Sequence, residues 1–266
     1  FARTNMRITA GEYKECADAD IVVICAGVSQ KPGEDRISLL QRNKAVFKSI
    51  ISPILYSGFD GIFLVATNPV DIMTRVTWQL SGFDRRKVLG SGTTLDTARL
   101  RYLLGEYFTV DPKNVHAYVI GEHGDSEMVP WSQAMIGTKP IREIIAQKDS
   151  KFAAADLNGI ADNVTKAAYK IIEAKNATYY GIGLSLVRIV KAIFGGENSI
   201  LTVSAMLRGE YGVNEVFAGV PCILGRDGVQ EVLTLNLEPE EQKQFQNSCK
   251  LLNSIWNDSF YEDKAE

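Results

Sequence analysis

Two short apolar runs, Ile21-Val22-Val23-Ile24-Cys25-Ala26 and Gly61-Ile62-Phe63-Leu64-Val65-Ala66, leave this chain very few architectures. Each is too short for a helix and lacks polar alternation, the pattern of a strand covered on both faces. Between them, residues 37–56 carry Leu39, Leu40, Ala45, Val46, Ile50 and Ile54 close to helical spacing. Pro69 opens a second helix, where its missing N–H costs nothing, and Lys87-Val88-Leu89-Gly90 reads as a shorter third strand. Strand, helix, strand, helix in this rhythm predicts βαβ units around a parallel sheet.

The remaining chain follows a different pattern. Helices are predicted over 94–108, 156–174 and 179–194, and a strand over Val115–Ile120. Two strand-rich stretches follow, Ile200–Leu207 and Val216–Leu237, the second turning at Arg226-Asp227-Gly228. Pro239 then opens an amphipathic helix running through Ile255. The fold class expected is α/β: a parallel sheet over residues 1–90 joined to an α+β domain over 91–266. The helix of 179–196 is expected to pack back on the first domain.

Composition narrows the function classes. With 29 basic and 32 acidic residues the net charge is −3, which argues against a nucleic-acid partner. No apolar run reaches the roughly 18–20 residues of a membrane helix. Cys16, Cys25, Cys222 and Cys249 have neither C-x-x-C nor metal-ligand spacing and read as reduced thiols of a cytosolic protein. The chain opens on Phe1-Ala2-Arg3 rather than Met, which suggests a preceding piece.

Three constellations could carry chemistry. His116 and His123 are the two histidines, and a straight strand would hold them about 23 Å apart, too far to share a metal. A lone histidine is usually structural, yet His123 lies between glycines just past a predicted strand, open to a substrate. Asp96 and Arg99 are three apart on a helix, so they point to nearly one face. Spacing alone leaves two readings: a surface ion pair, or an acid orienting a histidine beside an arginine that grips a carboxylate. The loop 27–36 and Thr67-Asn68-Pro69 both follow strand ends, where open α/β sheets bind ligands.

Together these residues resemble bacterial, allosteric L-lactate dehydrogenases. The resemblance rests on A-G-V-S-Q-K-P-G-E-D-R (26–36), V-A-T-N-P-V-D (65–71), G-S-G-T-T-L-D-T-A-R-L-R (90–101), H-A-Y-V-I-G-E-H-G-D-S-E (116–127) and A-T-Y-Y-G-I (177–182). They follow family order and span nearly the whole chain. The resemblance implies a Rossmann-like NAD-binding domain followed by a catalytic domain, and reduction of pyruvate to L-lactate in cytoplasmic fermentative glycolysis. His123 would be the acid/base, Asp96 its orienting carboxylate, and Arg99 the clamp on the substrate carboxylate. Arg36 would polarise the carbonyl as a loop closes, Asn68 would bond near it, and Thr178 would border the substrate methyl. Gln30, a neutral amide, would face that methyl, where an arginine would suit a second carboxylate.

Cofactor contacts carried over are Tyr13, Gly27, Val28, Ser49, Ala66, Thr67, Asn68 and Ser91; no metal is implied. Arg101 lies two residues past Arg99, rotated by about 200° away from it. With His116 it matches the residues that bind fructose 1,6-bisphosphate in responsive members, which implies a homotetramer activated by that sugar. The family's G-x-G-x-x-G turn and later acidic residue have no counterpart here, so roughly fifty to seventy residues of the cofactor half-domain would be absent. Another 2-hydroxy-acid or malate dehydrogenase, or an inactive truncated subunit, are the alternative expectations.

Overall fold

The computed structural model describes residues 6–29, 33–147, 152, 156–175 and 178–260. Strand β1 (Ile21–Ile24), helix α1 (Arg36–Tyr56), β2 (Ile62–Val65), α2 (Val70–Ser81) and β3 (Val88–Gly90) alternate. The three strands are parallel, pairing Ile24 with Val65 and Phe63 with Val88. Helix α1 starts at Arg36 because Asp35 caps it, its Oδ1 accepting from the Ser38 N–H at 2.9 Å.

Helix α3 (Thr94–Phe108) opens the second half. A small sheet of β4 (Val115–His116), β5 (Met135–Ile136) and β6 (Lys139–Pro140) follows, then α4 (Ile141–Ala146). Helices α5 (Leu157–Thr165), α6 (Ala167–Lys175) and α7 (Tyr180–Gly195) lead into β7 (Ser199–Arg208), β8 (Asn214–Gly225) and β9 (Gly228–Val232). Helix α8 (Pro239–Phe260) closes the described chain. These last three strands are antiparallel, and β7 joins β3 where Gly90 pairs with Ser204, so one six-stranded sheet runs β1-β2-β3-β7-β8-β9.

The main core lies on this sheet. Phe63, Leu64 and Leu89 meet Phe47 and Ile51 of α1, Met73 of α2, Ile189 and Ile193 of α7, and Phe245 and Leu252 of α8. Each fully buried side chain of this size contributes about 1.5–3 kcal/mol. A second cluster gathers Leu100 and Leu104 of α3 with Val115, Val119, Ile141 and Val164. The parallel sheet and attached α+β half match the expected fold class. Among the described residues, no helix is long and apolar enough to cross a membrane.

Three local expectations change. The run 21–26 suggests a strand covered on both faces, but in β1 Ile24 is buried while Val23 is exposed. Of the strand expected over Val115–Ile120, Val115–His116 pairs with β5 and Ile120 makes an isolated antiparallel bridge to Met128, with a break between them. In that break, helix α3 supplies the partners: Thr97 Oγ1 accepts from the Val119 N–H at 2.9 Å, and Thr93 Oγ1 donates to the Val119 carbonyl at 2.6 Å. With both backbone groups of Val119 satisfied by side chains, no ladder forms there. The helix expected over 156–174 divides at Lys166 into α5 and α6. Thr165 Oγ1 lies 3.4 Å from the Ala161 carbonyl, a back-bond that bends helices.

Candidate active site

Three successive backbone N–H groups of one loop are held by three different elements. Gly121 donates to the Gly219 carbonyl on β8 at 2.9 Å, and Glu122 to Ser248 Oγ on α8 at 2.9 Å. His123 donates to Asp71 Oδ2 on α2 at 2.8 Å. Gly121 is required here: its φ is 100°, and a Cβ would stand 2.8 Å from Ser248 Oγ. The loop that presents His123 is therefore tied to both the sheet and its covering helices.

The imidazole faces α3. His123 Nδ1 lies 2.7 Å from Asp96 Oδ2, and Arg99 Nη1 donates to Asp96 Oδ1 at 3.2 Å. Asp96 is buried, so this is no solvated surface pair; its carboxylate is shared by an imidazole and a guanidinium. Burial disfavours charge on His123, but the hydrogen bond and charge of Asp96 outweigh it, helped by Asp71 and Glu127. The ring is lifted to about 9. With Nδ1 held, Nε2 is the nitrogen left to exchange a proton with a bound molecule.

Glu122, beside His123, has its Oε1 3.7 Å from Arg36 Nη2. Arg36 is thus the first residue of α1 rather than part of the preceding loop, and it stands half-exposed against the histidine's own loop. Gly181 packs on Leu95, which keeps the chain following Thr178 alongside α3; Thr178 itself is exposed. Gln30 lies outside the described residues.

A crevice forms at the carboxyl ends of β1, β2 and β3. Thr67 Oγ1 donates to the Ala26 carbonyl at 2.7 Å, and Asn43 Oδ1 of α1 accepts from the Val28 N–H at 2.9 Å. A Cβ on Gly27 would stand 2.8 Å from Thr67 Cγ2 and 3.1 Å from Asn43 Oδ1, so the bare backbone is what fits there. Ala66 and Asn68 follow β2, and Ser91, buried after β3, donates its N–H to the Val65 carbonyl at 2.8 Å. Gly27, Val28, Ala66, Thr67, Asn68 and Ser91 thus gather at one end of the sheet. Tyr13 and Ser49 stand apart. Tyr13 begins a 3-10 turn leading into the amino end of β1, and Ser49, bonded to the Val46 carbonyl, lies about 9 Å along α1 from Asn43.

Asp71, Ser204 and Glu127 were not anticipated as site residues. Asp71 closes V-A-T-N-P-V-D on the buried face of α2; an acidic residue in a first helical turn, inside an apolar stretch, was the available signal. It accepts from Ser204 Oγ at 2.5 Å as well as from His123. Burial pushes Asp71 up to about 6 against those two donors. The folded state therefore holds this proton more tightly than the unfolded chain. The resulting stability is fully present below the unfolded carboxyl's range and is lost as pH rises through about 6. Asp71→Ala, which orphans both donors, is expected to cost about 2–4 kcal/mol, read as a lower urea midpoint at unchanged slope.

Glu127 lies on the other side of the pair and is half-buried. Its carboxyl is pushed up to about 8, by burial first and then by the charge of Asp96. Asp96, His123 and Glu127 each offer one ligand atom within 4.8 Å of the others. Asp96 and His123 already satisfy one another, and Arg99 stands 3.2 Å from Asp96, so the cluster favours protons over a metal cation.

On the opposite side of α3, Arg101 donates from Nε to the Ala117 carbonyl at 3.0 Å and lies over the Tyr118 ring, 5.1 Å from its centre. It lines a cavity of about 280 Å³ with Lys113 and Arg188. His116 is exposed on β4 nearby in sequence, three residues after Lys113.

Comparison with known proteins gives consistent matches. Residues 1–90 match the model of the lactate/malate dehydrogenase NAD binding domain, and residues 93–262 that of the family's alpha/beta C-terminal domain. The chain is 55% identical over 255 residues to an L-lactate dehydrogenase of Geobacillus sp. (strain WCH70), covering 96% of this chain and 80% of that protein. An L-lactate dehydrogenase of Bacillus velezensis is 53% identical over 262 residues, covering 98% and 82%. Among solved structures, a lactate dehydrogenase from a Medee basin deep-sea metagenome library superposes with a TM-score of 0.92 at 49% identity, covering 96% and 82%. The ligand-bound minor L-lactate dehydrogenase of Enterococcus mundtii gives 0.89 at 48%, covering 93% and 78%.

Proposed function

Because the chain belongs to the lactate/malate dehydrogenase family, we propose that it interconverts pyruvate and L-lactate as an NAD-dependent L-lactate dehydrogenase. The observation that carries this reading is the His123–Asp96 bond at 2.7 Å beside Arg99. A histidine with a raised proton affinity next to a guanidinium is what reduction of a 2-oxo acid needs: an acid for the carbonyl oxygen and a cation for the carboxylate.

The carboxyl-end crevice fits the nicotinamide portion of NAD. The bare backbone at Gly27 admits close approach, and Thr67, Asn68 and Ser91 bring polar groups to the same end. When bound, the cofactor supplies hydride to the carbonyl carbon of pyruvate, or takes it back from lactate. His123 holds a proton at Nε2 and gives it to the carbonyl oxygen, while Asp96 keeps the ring oriented and stabilises its cation. Arg99, with Nη1 on Asp96, offers its Nε–Nη2 edge as a fork for the carboxylate. Arg36 adds positive charge near the carbonyl and Asn68 donates a hydrogen bond there; the family resemblance assigns Gln30 and Thr178 to the methyl group.

The direction of proton transfer fixes a pH signature. Reduction needs the imidazolium and oxidation the neutral ring. With His123 at about 9, kcat/KM for pyruvate should fall as pH rises through about 9, while that for lactate climbs over the same range. Steady-state profiles in both directions test this. Two limbs that move together with pH would count against His123 as the shared acid and base.

The reading extends to regulation and assembly. Arg101, Lys113 and Arg188 around one cavity, with His116 three residues along the chain from Lys113, suit a bisphosphorylated sugar, so we assign fructose 1,6-bisphosphate as activator of a cytoplasmic homotetramer in fermentative glycolysis. Tyr180, Leu184 and Val187 form an exposed apolar face on α7, which supports association with a further copy. Fructose 1,6-bisphosphate should lower the apparent pyruvate KM at pH 6–7, and Arg101→Gln or His116→Ala should abolish that effect while leaving basal turnover. Identical saturation curves with and without the sugar would exclude the regulation.

A further inference from the structure

Glu127 has no part in the steps above, yet its carboxyl stands within 4.8 Å of the ligand atoms of both Asp96 and His123. Thr165 Oγ1 on α5 donates to its Oε1 at 2.9 Å, fixing the side chain toward the pair. Its other side forms part of the wall of a cavity of about 720 Å³, also lined by Asp125, Asp162, Lys166 and Tyr169. Gly27, Thr67 and Asn68 are absent from that lining, so Glu127 meets water from a side other than the cofactor crevice.

The neighbouring charges are largely paired. Lys166 bridges Asp162 at 2.9 Å, and Tyr169 donates to Asp125 at 2.7 Å. On α3, Arg99 is bonded to Asp96. The charge on Glu127 therefore acts chiefly on the Asp96–His123 pair.

We propose that Glu127 is a positioning residue that tunes the proton affinity of His123, switching a further negative charge on beside the imidazole as pH rises. Neutral Glu127 leaves two anions facing His123, Asp96 at Nδ1 and Asp71 of α2 on its backbone N–H. Once ionised, Glu127 strengthens the hold on the imidazolium, so the acid form of His123 persists to higher pH than those two alone would support. Protonation and deprotonation of Glu127 proceed through the second cavity and need no opening of the substrate side. The inference rests on reading His123 as the catalytic acid, but its physical core is the coupling of two titrations.

For two charges about 5 Å apart at an effective dielectric of about 20, the interaction corresponds to roughly two pH units, and water in the adjoining cavity reduces this to about one. The test uses the full chain labelled with ¹³C at histidine Cε1. There are two histidines, so His116 serves as internal reference. In Glu127→Gln, a near-isosteric change, the His123 midpoint should fall by about one unit while His116 stays in place. The alkaline limb of pyruvate reduction should move down equally, with kcat at pH 6 within about twofold of the unmutated protein. Thr165→Val removes the donor that favours ionised Glu127 and should shift His123 the same way by a smaller amount, a second route if the first variant folds poorly. A His123 midpoint that moves in neither variant, or a Glu127→Gln loss that is uniform across pH, overturns the proposal. Absent turnover in the unmutated chain would refute the functional reading, while the resonance shift still decides the coupling.

Discussion

Asp96→Asn is expected to lower kcat for pyruvate reduction by about 10²–10⁴-fold while leaving the NADH dissociation constant within a factor of two. The carboxylate lies 2.7 Å from His123 Nδ1 and provides the charge that overcomes the cost of burying an imidazolium. An asparagine keeps the shape but not the charge. It can also present its amide N–H₂ to Nδ1, selecting the tautomer that carries the proton on Nε2 without any positive charge. The ring then remains neutral at working pH and is a poor acid. Because the crevice at Gly27 and Thr67 shares no contact with Asp96, cofactor affinity should be spared. Stopped-flow measurement of NADH oxidation, with fluorescence titration of NADH, separates the two. A loss below tenfold would show that proton donation does not depend on this carboxylate.

Arg99→Lys should raise the pyruvate KM by about 10–100-fold, with a smaller change in kcat. Hydrogen bonds to charged groups contribute about 1.5–3 kcal/mol, and an ammonium cannot reproduce two parallel N–H donors in one plane. The lysine is also shorter and loses the 3.2 Å contact that lets Arg99 rest on Asp96 while facing outward. Retention of positive charge preserves general attraction for the carboxylate but not its orientation. An unchanged KM in this variant would place the carboxylate elsewhere.

The backbone plan was legible because apolar runs and helical spacing report burial directly. The segments 21–26, 37–56 and 61–66 gave β1, α1 and β2 in register with one another. What misled was partner identity. Val22 and Val23 look the same in sequence whether other side chains cover them or, as for Val23, leave them exposed. Val119 reads as strand because its side chain is apolar, while its backbone is taken by threonines a helix away. The pairing of Asp96 with Arg99 was readable from i,i+3 spacing; its burial was not, and its bond to His123, across 27 residues of chain, was implied only by the family resemblance. Asp71 and Glu127 escaped notice for the same reason. A buried carboxylate is distinguishable from a surface one only by what the fold brings against it.

The clamp on residues 121–123 changes how His123 moves. Flanked by glycines, it would be expected to exchange its amide hydrogen within the fast regime of loops. Its N–H instead points at Asp71, which also holds Ser204 in the middle of β7. Release of that hydrogen to deuterium requires the loop to part from a buried carboxylate that Ser204 holds in place. The protection of this one amide thus reports how firmly the 121–123 loop is held against α2.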